Sequence, residues 1–143
     1  MFTPSQQDVR RFFCEVWQRD RDSLPLDPMQ AKAADWVRQH PEYDGDLADP
    51  VRAVEAAYTV EEGRTNPFLH LSMHLSLQEQ VEIDQPRGIR GAFERLRDRL
   101  GSAHEAHHEM MECLGEMIWA SQRSGRPPDG HQYLECVQRR ASS

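Results

Sequence analysis

Two segments hold the residues whose types and spacing could do chemistry. In "NPFLHLSMHLSLQEQ", residues 66–80, His70 and His74 stand four apart; in "HEAHHEMMECLGE", residues 104–116, His104 and His108 repeat that spacing, with Glu105 between them and Glu112 one turn beyond. Side chains at i and i+4 lie one above the other on a helix, so each pair aims two imidazoles the same way. Two such pairs on facing helices can complete a tetrahedral shell around one ion or share a dinuclear site. The string His104-Glu105-Ala106-His107-His108 also fits the H-E-x-x-H pattern of helical zinc peptidases, whose histidines hold zinc while the glutamate activates water. Five letters with two free positions occur by accident in many chains, so the rest of the sequence has to decide. The expected metal ligands are His70, His74, His104, His108 and Glu112, with Glu105 the expected catalytic base. An imidazole and carboxylate set suits a divalent transition metal, zinc or iron first, with nickel and manganese also compatible. Glu105 and His108 share the Glu-x-x-His spacing of carboxylate-bridged di-iron bundles, but the second such motif is missing from the sequence.

The elements that must position these residues all read as helices. Thr3-Pro4, Asp27-Pro28, Asp49-Pro50 and Asn66-Pro67 pair an N-cap with proline at the first helical position. After the first of them, Val9, Phe12, Phe13, Val16 and Trp17 recur at helical spacing. His40-Pro41 stops the second helix; a shorter one is expected from Asp49-Pro50 to about Tyr58, and Gly63 breaks the chain before Asn66. Helices then follow over about 67–83, 89–100 and 102–124, with a terminal helix outlined by Tyr133, Leu134 and Val137. Ser102 and Glu105 form a capping-box pattern at the helix of the HExxH string. No run of alternating β-branched residues offers a strand. The expected fold class is therefore all-α: one domain, residues 1–143, a compact bundle of about five to six helices with no sheet.

On a helical wheel for residues 67–83, Ser72, Ser76 and Glu79 share one side. Leu69, Leu71, Met73, Leu75, Leu77 and Val81 spread over the opposite arc, and His70 and His74 fall inside it. On the helix from Ala103, the buried face is defined by Met110, Met111, Leu114, Met117 and Ile118. His104 and His108 border that face, His107 points near its middle as either a ligand or a packed residue, and Gly115 continues the histidine stripe. A glycine there implies a closely approaching helix or room for something bound. Cys113 falls away from the stripe and reads as a small hydrophobe.

Composition limits the function classes. A formal net charge of -7 offers no electrostatic footprint for nucleic acid, and Arg10-Arg11 and Arg139-Arg140 read as solvated helix faces. No apolar stretch is long enough to span a bilayer, so neither nucleic acid nor membrane is an expected partner; a metal ion, together with an unknown small molecule or protein, is. Cys14, Cys113 and Cys136 are an odd number without paired spacing, and no secretory signal is visible, which points to a reducing cytoplasm.

A lone histidine on an apolar face is more often a hydrogen-bonded core residue than a ligand. Two inward-facing pairs favour a metal site between the helices that start near Pro67 and Ala103, serving a hydrolase or oxidoreductase of unknown substrate. One alternative is a non-enzymatic helical interaction module whose histidines belong to the core. A zinc peptidase using the HExxH string is a further alternative, but it lacks a strand along which to align substrate.

The segments "NPFLHLSMHLSLQEQ", "IDQPRGIRGAF", "HEAHHEMMECLGEMIW" and "PPDGHQYLECVQRR", with "QQDVRRFFCEVW", resemble the uncharacterised proteobacterial family called domain of unknown function 1841 across nearly the whole chain. The resemblance implies a small cytoplasmic bacterial protein without an established activity. Its histidine motifs fall here on His70, His74, His104 and His108, with Glu112 close by, whereas His107 stands where the family varies.

Overall fold

Helix starts in this chain coincide with short polar side chains that satisfy the orphan N–H groups of a first turn. The computed structural model describes residues 5–58 and 66–142, so the start signal at Thr3-Pro4 and the break at Gly63 lie outside the described residues. Ser5 and Asp8 form a reciprocal capping box that opens α1, Gln6–Arg21, and Asp27 and Gln30 do the same for α2, Pro28–Arg38. A 3₁₀ turn over Pro41–Tyr43 leads into α3, Asp44–Leu47, and Asp49 then caps α4, Pro50–Glu55. The Asn66 carboxamide accepts from the backbone N–H groups of Phe68 and Leu69 at the start of α5, Pro67–Ile83. Glycines in the left-handed region bound α6, Ile89–Leu100: Gly88 at φ +103° precedes it and Gly101 at φ +76° ends it. Ser102 caps α7, Ala103–Ser124, and Asp129 accepts from the N–H groups of His131 and Gln132 in α8, Gly130–Ser142.

The all-α expectation matches: among the described residues there are eight helices and no strand. Five to six helices were expected. The excess arises partly from α3, whose four residues are too few to display a helical period.

The chain divides into two compact units, Met1–Leu75 and Ser76–Ser143, with the division falling inside α5. In the first unit Phe13, Val16, Ala33, Val37, Leu47, Phe68 and Leu71 form a core shared by α1 to α5. Arg10 belongs to that interior, not to a solvated face. It is 8 % exposed, and its guanidinium donates to the carbonyls of Ala53 at 2.8 Å and Ala56 at 2.7 Å. It also lies over the rings of Tyr58 and Phe68. This clamp sits at the point where α4 ends, at Glu55 instead of the expected Tyr58, because Ala56 turns extended there.

In the second unit Leu77, Ile89, Leu96, Met110 and Val137 centre a core built from the end of α5 and from α6, α7 and α8. The Tyr133 hydroxyl donates to Gln80 at 2.7 Å, giving a buried polar group its partner, and burial raises its pKa. Cys113 on α7 and Cys136 on α8 are joined in a disulfide, leaving Cys14 buried as a free thiol. The pairing was invisible in the sequence because the partners are 23 residues apart and meet only when α8 returns along α7.

Two expected core positions are on the outside. Leu69 is 58 % exposed and Ile118 is 42 % exposed, although both fell on apolar arcs. Among the described residues nothing lies within 4 Å of where a Gly115 side chain would project, and none of their helices closes on that position.

Replacing Arg10 by Leu leaves the Ala53 and Ala56 carbonyls without their charged donor. The expected cost is about 2 kcal/mol of stability, a loss typical of hydrogen bonds to charged groups. Urea unfolding of the variant beside the parent measures it.

Candidate metal centre

Three imidazoles converge in the first unit. α5 carries His70 and His74 one turn apart, and the third, His40, follows α2 directly before Pro41. One ring nitrogen from each lies within 4.8 Å of the others. Their environment is unusually dry: His74 is 0 % and His40 3 % exposed, while His70 is half-buried. Burial of this kind requires that polar ring atoms find partners. His40 Nδ1 meets the carbonyl of Trp36 at 2.7 Å, so Nδ1 carries the proton and Nε2 bears the lone pair. His70 Nε2 and His74 Nε2 face each other at 3.2 Å.

Aromatic rings wall the group. The Trp36 indole stacks on His74 at a centroid distance of 4.2 Å and 14° between planes. Tyr43 lies parallel to His40, 5.2 Å away, and is edge-on to His70. Trp36 thus supports the cluster twice, through its carbonyl to His40 and through its ring to His74. It is also a core residue, 7 % exposed, whereas Trp119 is 61 % exposed beneath the Arg123 guanidinium.

The second unit holds the other pair. On α7, His104 and His108 place their ring centroids 4.2 Å apart, and a ring nitrogen of each lies within 4.8 Å of the other's. Ser102 accepts from the Glu105 N–H at 3.1 Å, the hydroxyl half of the expected capping box. The Glu105 carboxylate is largely in solvent, 3.7 Å from His104 Nδ1.

The remaining expected residues are placed differently. Glu112 is exposed and accepts from Arg140 at 2.6 Å, and the same guanidinium reaches Glu109 at 2.5 Å and Glu116 at 3.4 Å. Its carboxylate is engaged by α8 and is not grouped with the histidines. His107 is buried with its ring edge-on to Phe93 at 5.5 Å. Desolvation, with His104 and His108 as like-charged neighbours, pushes its pKa down to about 4. His40 was missed in the sequence. It lacks an HxxxH partner and was read only as the residue before a helix-stopping proline; its spacing from His70 carries no periodic signal.

The fold and the site define an all-helical protein with a buried histidine cluster walled by aromatic rings. The chain belongs to the family Domain of unknown function (DUF1841), whose model matches residues 5–139. No curated protein and no solved structure gives a match. Among the described residues no helix is long and apolar enough to cross a membrane.

His107 generates a pH dependence with a defined sign. Its folded pKa lies below the ordinary value of 6.5, so between pH 6.5 and about 4 the unfolded chain binds a proton that the folded chain refuses. Its contribution to stability is present above pH 6.5 and is lost as pH falls to about 4, on the order of 3 kcal/mol. In metal-free protein, His107→Leu is expected to flatten this part of the profile, read by urea unfolding at a series of pH values.

Proposed function

We propose that this protein binds a divalent transition metal through His40, His70 and His74 of the first unit, with His104 and His108 a separate pair of candidate donors within the second. The reading rests above all on the two Nε2 atoms of His70 and His74. Two nitrogens held at about 2.05 Å by a tetrahedral ion are about 3.3 Å apart, and these two are 3.2 Å apart. His40 adds a third imidazole whose tautomer is set by a backbone carbonyl, the usual way in which a metal-binding histidine is oriented.

Three imidazoles in one unit and two in the other leave each group short of a closed four-ligand shell. The donor set is neutral nitrogen without carboxylate or thiolate, which favours zinc, copper, nickel or cobalt over the hard ions magnesium, calcium and manganese. The expectation from sequence put zinc or iron first, with nickel and manganese compatible, for a set that included the Glu112 carboxylate. Glu105 then serves His104 as a nearby carboxylate, and a role as the base that activates a metal-bound water depends on whether the bound ion keeps an open position.

Reconstitution tests the reading. The chain, freed of metal by a chelator and titrated with zinc or cobalt, is expected to take up stoichiometric ion by calorimetry and plasma mass spectrometry. His40→Ala, His74→Ala and His108→Ala should each weaken binding roughly tenfold or more, whereas Glu112→Ala should leave it unchanged. Copper or nickel should quench Trp36 fluorescence, with Trp36→Phe removing the response. Variants of the two groups are read separately, each against the ion bound within its own unit. Failure of the intact chain to take up any of these ions would sink the proposal and leave a helical interaction module with core histidines.

A further inference from the structure

We propose that Cys113 and Cys136 are a reversible thiol–disulfide couple that adds a covalent tie between α8 and α7 and removes it again, with a low-molecular-mass thiol as co-reactant. The inference is independent of the metal reading. Both cysteines belong to the core of the second unit, with Cα atoms 5.8 Å apart, and Cys136 is the more accessible at 5 % exposure against 1 % for Cys113.

The carboxylate of Glu116 is the telling neighbour. Its Oε2 lies 3.5 Å from Cys136 Sγ, a distance over which a thiol donates. A disulfide sulfur has no proton to give, so a hydrogen bond from Cys136 to this oxygen belongs to the reduced state. The other oxygen of Glu116 is 3.4 Å from Arg140, which also holds Glu109 and Glu112. The reduced protein therefore has an acceptor for the new thiol and an ionic clamp that still ties the end of α8 to α7. Oxidation adds a covalent fastening to that salt-sensitive one.

The exchange balances as follows. A thiolate attacks Cys136 Sγ, the protein disulfide breaks, and Cys113 leaves as a thiolate that takes up a proton. A second thiol then displaces Cys136 from the mixed disulfide. Two external thiols become one external disulfide, and two electrons and two protons end on Cys113 and Cys136, the latter donating to Glu116. Because Cys136 is buried, the end of α8 must open for attack, which makes the exchange slow.

The unit from Ser76 to Ser143 is small enough for such a staple to matter. For the full-length chain, alkylation of denatured, oxidised protein is expected to find one thiol, Cys14, and three after reduction. Reduction should lower the unfolding temperature of the second unit by roughly 10–20 °C. Native protein equilibrated in glutathione buffers of graded ratio, then trapped and weighed, should pass reversibly between both states. Glu116→Gln should move the midpoint toward the oxidised form by about threefold or more in the equilibrium constant. Three free thiols in untreated protein would overturn the couple, as would a disulfide that yields to glutathione only after unfolding. An unmoved midpoint in Glu116→Gln would overturn the acceptor role on which reversibility stands.

Discussion

An imidazole taken out of water must keep its nitrogens satisfied, and His40 and His74 are almost wholly withdrawn from solvent. Trp36 answers this demand for His40 through its carbonyl and packs its indole on the ring face of His74, whose Nε2 meets His70 Nε2 at 3.2 Å. Because Trp36 is itself packed on α2, the positions of α2 and of the first half of α5 are tied to one side chain. The histidine cluster is therefore part of the interior of the first unit. Arg10 follows the same logic elsewhere in that unit: a buried charge is tolerated because carbonyls at the end of α4 and two aromatic rings surround it.

The second unit meets the problem of a small core by different means. Apolar packing of α6, α7 and α8 is supplemented by a disulfide in its interior and by Arg140 gripping three carboxylates at its edge. Those carboxylates, Glu109, Glu112 and Glu116, line one stripe of α7 at spacings of three and four residues. A stripe of acids on the helix that carries the HExxH string could be taken for ligands. In the fold those acids receive a guanidinium from α8.

Local signals in the chain were strong enough to be read directly. Asp27, Asp49, Asn66 and Ser102 cap helices, and proline follows three of them, because a first turn has unpaired N–H groups whatever surrounds it. The HxxxH pairs were legible for the same reason, since helical geometry alone puts i and i+4 together. Where apolar periodicity was used to infer burial, it failed at Leu69 and Ile118, whose arcs were correct but whose side chains stay exposed among the described residues. A wheel reports which residues share a face, and burial depends on what that face meets.

By itself, then, the sequence determined the all-helical class, most helix starts, and the two histidine pairs, each a consequence of contacts within four residues along the chain. Tertiary structure alone decided the rest. It brought His40 to His70 and His74, joined Cys113 to Cys136, drew Glu112 to Arg140, and placed Arg10 inside the first unit. Each of those pairings spans 20 residues or more, where no backbone period operates, and only the packing of one helix against another can select the partner.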